Sequence, residues 1–345
     1  MRRLVLYVLG LIIGLVLAVG AWGGLIAGQA GAPTTASVWL KDLFDVKDVA
    51  VQSASPSSIV IVGGTDVLFG LSADEISASL SRDVTNYGMH EDLGLTYLLH
   101  RVRQIVRPGD DLVLVLDYQR MAEGEGVPPL LRDYLLNDDL AHIRTWEPVT
   151  ALRFLAGVPS SRLLQGYRAL AGLPQDSDWP FSRGLLEVDG DVRPSGNRAS
   201  AEESWVPGAA VPAVLSDTVK TALATLAAWA RSNNVTVHAI WTIGPFQEAY
   251  REVAFESLVR DMARYTQRIG IIIHGDPIGL LRPADSGRFR VSSEERSLRS
   301  GFFVSALAEV LAADQFLPNA AESTGEDSQP AASGPTTSGL ATSGQ

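Results

Sequence analysis

Thr65 follows a run of β-branched apolar residues and two glycines in IVIVGGTDVLFG, residues 59–70. That order describes a strand turning sharply into a helix, the arrangement that presents a hydroxyl nucleophile at the end of a sheet. A hydroxyl at such a turn does chemistry only with a base beside it. Candidate partners fall in three other places: Asn86-Tyr87-Gly88 with His90, Asp117-Tyr118, and His274 with Asp276. Each also has a plainer reading. Gly63-Gly64 suits a tight turn with Thr65 as a helix N-cap, His90 and His274 suit hydrogen-bonded structural histidines, and Asp117 suits a cap. Of the remaining histidines, His100 lies within a helical pattern, His142 in the expected insertion and His238 inside a strand, so none is assigned a catalytic role.

These groups meet only if the segments before them are neighbouring parallel strands. SSIVIVGG, DVTNYG, DLVLVLDY, VTVHAIW and IGIIIHGDP read as strands, the longer ones apolar throughout. Helical patterns separate them. SADEISASLS opens with a capping pattern, Ser72 followed by Glu75, and LGLTYLLHRVRQIV repeats apolar residues at spacings of three and four before RPGD stops it. Further helices are expected over 217–234, 245–270 and about 297–313. Apolar strands alternating with helices predict a parallel sheet covered on both faces, and right-handed crossovers make it a three-layer, doubly wound α/β fold. Ligands of such a sheet bind outside the carboxyl ends of the strands, where Gly64, Thr65, Asp66, Asn86, Gly88, His90, Asp117, Tyr118 and His274 all fall.

Before the sheet, MRRLVLYVLGLIIGLVLAVGAWGGLIAG has no charged side chain after Arg3 until Lys41. Such a span crosses a hydrocarbon core of about 30 Å as a helix and exceeds the ~7–15-residue apolar region of a cleaved leader. AGQAGA before Pro33 is also a cleavage context; length favours an uncleaved anchor over residues 1–30. Arg2 and Arg3 place the rest of the chain on the extracytoplasmic, periplasmic side. Residues 31–57 read as a linker, with a short amphipathic helix in VWLKDLFDVKDVAV. The globular domain spans 58–317, with an insertion over about 121–212 lying across the carboxyl edge of the sheet, and 318–345 is a low-complexity tail.

A net charge of −11, without a clustered Lys/Arg stripe, argues against nucleic acid. The chain has no cysteine, which excludes disulfides and thiolate chemistry. GGTDVLFG has neither the lysine of a P-loop nor the GxGxxG spacing, no histidine pair has metal-motif spacing, and no GxSxG elbow is present. No cofactor or metal is expected.

IVIVGGTDVLFGLSADEI, NYGMHEDLGLTYLL and RPGDDLVLVLDY together resemble the SGNH/GDSL hydrolase superfamily. The likeness covers about Ser58 to Tyr118 and is greatest to membrane-anchored, exported members associated with exopolysaccharide O-acetylation. It implies a flavodoxin-like sheet, a nucleophile at Thr65, an oxyanion glycine at Gly88 with Asn86 beside it, and a base from an Asp-x-x-His motif before the last helix. The chain departs from that pattern twice. Threonine stands in the serine slot, and with Gly301 as the family glycine the histidine and aspartate slots fall on Arg296 and Ser293. Arginine cannot accept a proton at neutral pH. The expectation is an extracytoplasmic SGNH-like protein with impaired catalysis that binds a polysaccharide or an envelope protein. The alternative is an esterase or O-acetyltransferase using Thr65, with His274 as base and Asp276 orienting it.

Overall fold

The computed structural model describes residues 1–122, 124, 126–175, 179, 181–193, 212–241, 251–278 and 291–315. The low-complexity tail, much of the Gly/Pro/Ser-rich passage after Arg193, and the residues just before Val291 lie outside them.

The chain begins with α1 (Arg2–Gly28) and α2 (Thr35–Ser53). The first crossover runs from β1 (Ile59–Gly63) through α3 (Thr65–Gly70) and α4 (Ala73–Leu80) to β2 (Val84–Gly88). Next come α5 (Leu95–Ile105) and β3 (Asp111–Leu116), and then an excursion containing α6 (Pro129–Asn137), α7 (Leu140–Ile143), α8 (Pro148–Ala156) and α9 (Ser160–Leu170). The fold closes with α10 (Asp217–Ser232), β4 (Thr236–Trp241), α11 (Val253–Ile269), β5 (Ile272–His274) and α12 (Ser293–Gln315).

All five strands are parallel, in the order β2-β1-β3-β4-β5. The order reverses between β1 and β3, because the first crossover leaves β1 in one direction and the second returns past it. Right-handed crossovers then put α3 and α4 on one face, which α12 also covers, and α5 and α10 on the other. Strand alternation matches this division. Ile59, Ile61, Val113, Val115 and Ile240 pack with Val67, Ile76, Phe303 and Leu307, whereas Val60, Val62, Leu112, Leu114 and Ala239 pack with α2, α5 and α10. The expected three-layer α/β sandwich is the observed one. α5 shows why: Leu95, Leu98, Leu99, Val102 and Ile105 are its buried residues, one stripe at helical spacing.

The segment expected as a linker differs. Residues 35–53 form a 19-residue helix whose Trp39, Leu40, Leu43, Phe44 and Val51 are core residues. Thr34 starts it with a capping box: its hydroxyl accepts the Ser37 amide (3.1 Å), and the Ser37 hydroxyl accepts the Thr34 amide (2.9 Å). Charges at Lys41, Asp42, Asp45, Lys47 and Asp48 dilute its apolar pattern, yet Lys47 is completely buried. Asp48 is met by the Tyr87 hydroxyl at 2.7 Å and by Arg101 at 2.6 Å, which joins α2 to β2 and α5.

The excursion expected over about 121–212 leaves and rejoins the sheet at one point, where the Ser216 amide donates to the Met121 carbonyl (2.9 Å). Its first helix is not a lid. Leu130, Leu131, Tyr134 and Leu135 of α6 are buried in the main core, and the Phe44 and Tyr134 rings meet at 5.0 Å. Trp179 and Phe181, later in the excursion, pack near the carboxyl ends of the strands, Trp179 beside His90 and Phe181 beside Phe69.

α1 is 27 residues long and apolar enough to cross a membrane. At 1.5 Å per residue it extends about 40 Å, more than the ~30 Å of a hydrocarbon core.

Candidate functional site

β1 and β3 end at the reversal in strand order, where an open α/β sheet makes its crevice. The Gly63-Gly64 turn delivers Thr65 there as the first residue of α3, with Gly64 rather than Thr65 as the N-cap. Thr65 is 1% exposed. Its Oγ1 accepts the Glu91 amide at 3.2 Å, so the hydroxyl fastens the turn after β2 to the start of α3. Among the described residues, no imidazole nitrogen is hydrogen-bonded to Thr65. Asp66 is buried in the first turn of the same helix, where a carboxylate complements the amide end.

The groups that would hold an oxyanion are also engaged. The Gly88 amide donates to Asn86 Oδ1 at 2.9 Å. Asn86 Nδ2 donates to the Val67 and Leu71 carbonyls (3.0 and 3.3 Å) and to Asp191 Oδ1 (3.0 Å). Gly88 is pressed against the backbone of α3, and a Cβ there would lie 2.3 Å from the Leu68 nitrogen and 2.7 Å from the Val67 carbonyl carbon. Neither atom can swing away. Gly88→Ala should therefore cost stability at the upper end of about 1–3 kcal/mol, read as a lower urea midpoint at unchanged m-value.

His90 and Asp117 close the crevice. His90 Nδ1 accepts the Asp92 amide at 3.2 Å, and its ring lies 5.6 Å from that of Trp179, which comes from the excursion. Burial lowers the His90 pKa to about 4 and the Arg120 guanidinium adds to this, against the opposing pull of Asp92. Asp117 pairs with Arg120 at 3.8 Å, and a Cβ on Gly64 would lie 3.5 Å from that guanidinium. Gly63, Gly64, His90, Asp117, Arg120 and Met121 line a cavity of about 10 Å³, room for roughly one water. Phe181 stacks on Trp39 and Phe69 at 4.9 and 5.2 Å and packs beside Trp179. Tyr118 is buried and donates its hydroxyl to the Pro277 carbonyl at 2.5 Å, tying the end of β3 to the chain after β5.

His274 lies elsewhere. Val62, Leu114, Ala239 and Ile273 form one row across β1, β3, β4 and β5, so His274 sits three strands from β1. Three spacings of about 4.8 Å put it some 14 Å from the Thr65 turn. Its ring neighbours that of His238, 5.9 Å away on the face covered by α12. Asp276, expected to orient it, accepts the Ile278 amide at 2.8 Å in a local turn.

Arg296, where the sequence resemblance would place a histidine, lies in the first turn of α12, which begins at Ser293. It donates through Nε to the Leu71 carbonyl (2.7 Å) and pairs through Nη2 with Asp191 (2.5 Å). Asp191 also accepts the Ala73 amide (2.9 Å). Lys47 donates to the Asn86 and Gly190 carbonyls at 2.5 and 2.6 Å. Burial pushes the Lys47 ammonium down and the Asp191 carboxyl up. The carboxylates of Glu187, Asp189 and Asp191 converge within 4.8 Å on the turn closed by an antiparallel bridge between Leu186 and Val192, a cluster with no counterpart in the sequence expectations. Arg193 meets Glu187, Arg296 meets Asp191, and Lys47 lies close by, so the acidic group is already compensated by the protein's own cations.

Comparison with protein-family models, with curated proteins and with solved structures gives no match. The site therefore rests on its own geometry. Sequence reasoning brought Thr65, His90, Gly88 and Asp117 to one crevice, and they are together there; it also put His274 among them, and the strand order separates it. Lys47, Arg120, Trp179, Phe181 and Asp191 went unread, and only Arg120, three residues after Asp117 on one turn, had a local signal.

Proposed function

We propose that this protein is a membrane-anchored, extracytoplasmic SGNH-like domain that has lost acyl-transfer chemistry and acts by binding an envelope component, an exported polysaccharide or a partner protein. One observation carries the reading: the polar groups that the chemistry needs are buried and hydrogen-bonded inside the fold, and among the described residues no imidazole meets the Thr65 hydroxyl. Thr65 Oγ1 holds Glu91, the Gly88 amide holds Asn86, and Asn86 Nδ2 holds α3 and Asp191. A buried hydroxyl without a base is a poor nucleophile, and loss of nucleophile or base in a triad costs about 10⁴–10⁶ in rate. With the crevice filled, binding falls to the surface around the excursion. The long apolar α1 supports the anchor, and Arg2 and Arg3 at its start support the orientation.

The full chain in detergent should hydrolyse p-nitrophenyl acetate at the buffer rate, and Thr65→Ala should leave that rate unchanged. Turnover well above background that disappears in Thr65→Ala would instead make the protein an esterase or O-acetyltransferase acting through Thr65.

A further inference from the structure

The end of α1 is built into the domain rather than joined to it by a flexible tether. The Trp22 indole donates to the Leu155 carbonyl in α8 (3.0 Å), and the Tyr167 hydroxyl in α9 donates to the Leu25 carbonyl (2.9 Å). Just beyond, the buried Arg162 of α9 holds Gln29 and the Ala32 carbonyl and pairs with Asp133. Helices α8 and α9 therefore stand at a fixed height beside α1.

That height can be read from the anchor. From Arg3 to Trp22 the helix rises about 28 Å, close to the thickness of a hydrocarbon core, so with Arg3 at one boundary the other falls at Trp22. The contact with Leu155 is at that level, and the Tyr167 contact is one turn further out.

At this height α8 and α9 show apolar residues to the outside. Val149 and Leu152 are 61% and 56% exposed, and with Ala156 they follow one helical face. Leu164 and Leu170 are 61% and 56% exposed on α9, with Leu173 just beyond it. Of the four arginines in residues 140–173, Arg162 is buried against Asp133, which leaves Arg144, Arg153 and Arg168 against a single glutamate in a chain of net charge −11. Trp22, Trp146 and Tyr167 supply the amphipathic rings common at headgroup level.

We propose that the α8–α9 pair is a membrane-interface foot. Val149, Leu152, Leu164 and Leu170 dip into the headgroup–acyl boundary of the bilayer that α1 spans, and the positive charge of the segment faces anionic phosphates. The foot rests on the anchor reading above and adds to it a fixed orientation of the domain on the membrane. Continuity with α1 selects the occupant, because any bilayer that contains α1 already touches α8.

The chain has no cysteine, so single cysteines can report on this directly. The test labels Leu15→Cys, Leu152→Cys, Leu164→Cys and Ile272→Cys with an environment-sensitive fluorophore. Each full chain is reconstituted in phosphatidylcholine–phosphatidylglycerol vesicles containing nitroxide-labelled lipid. Ile272 is the control, an exposed apolar residue on the edge strand β5. Lipid quenching at 152 and 164 should exceed that at 272 by at least about threefold, with a blue-shifted emission. Quenching at 15 with none at 152 and 164 overturns the foot and leaves the anchor standing. No quenching at 15 overturns both. Equal quenching at 272 overturns the foot as a distinct surface. A blue shift at 152 and 164 that grows with protein-to-lipid ratio and is not quenched by lipid also overturns it, in favour of contact between copies of the chain.

Discussion

Asp191→Ala should lower the unfolding free energy by about 3–5 kcal/mol, the usual cost of stranding a buried charge by removing its partner. Asp191 is 1% exposed and faces two buried cations, Arg296 in direct contact and Lys47 nearby. It also receives the Ala73 amide and the Asn86 side chain. Alanine removes the anion and leaves Arg296 with only the Leu71 and Val192 carbonyls. The loss should be largely charge, so Asp191→Leu combined with Arg296→Met should recover at least about half of it, because an apolar pair of similar volume often replaces a buried ion pair without penalty. Urea titrations of the detergent-solubilised chain, followed by tryptophan fluorescence, measure both. A single-variant loss below about 1 kcal/mol, or a double variant as unstable as the sum of its parts, would mean that the network is not what holds the excursion to the sheet.

This network also explains which parts of the molecule sequence could disclose. β1, β3 and α5 are local patterns: a continuous apolar run or a stripe at helical spacing is visible within ten residues, and the sheet follows from alternation and crossover handedness. α2 is different. Its Lys47 looks like the solvated side of a linker helix, and only Asn86 and Gly190, 39 and 143 positions away, make it an interior residue. Asp191 is hidden for the same reason in VDGDVRPSG, a passage with the composition of a loop. The candidate site divides along the same line. That Thr65 stands at a strand end is local information. That its hydroxyl is committed to Glu91, and that Arg296 holds Asp191 rather than standing over the turn, depends on the packing of distant segments. His274 failed to join the crevice because strand ends are equivalent in sequence until their lateral order is known.

The stability of the folded chain should fall by about 2 kcal/mol between pH 7 and pH 5 on account of His90 alone, and by about 3 kcal/mol by pH 4. His90 is held neutral in the folded state with a pKa of about 4, against 6.5 when unfolded. Below pH 6.5 the unfolded chain binds a proton that the folded chain refuses, so stability is complete above that pH and is lost as pH falls towards 4. Burial also lowers His100 and His142, with the same sign. The raised Asp191 carboxyl takes up a proton in the folded state over the same range and acts in the opposite direction, so the comparison with a His90 variant, and not the parent's total slope, carries the test. His90→Gln removes the titration, and the difference between the two chains in urea midpoints at pH 7.5, 6 and 5 isolates it, because the other groups, the raised Asp191 carboxyl included, are common to both. The outcome bears on function. Protonation at Nδ1 would end the bond from the Asp92 amide, because an imidazolium has no acceptor, and would place a second cation beside Arg120. A crevice closed in this way has a buried, neutral imidazole committed to the backbone and, among the described residues, no imidazole hydrogen-bonded to Thr65. If His90→Gln leaves the slope unchanged, the imidazole is hydrated and titrates normally, the crevice is open to water, and a base at the Thr65 turn comes back within reach of a hydrolytic reading.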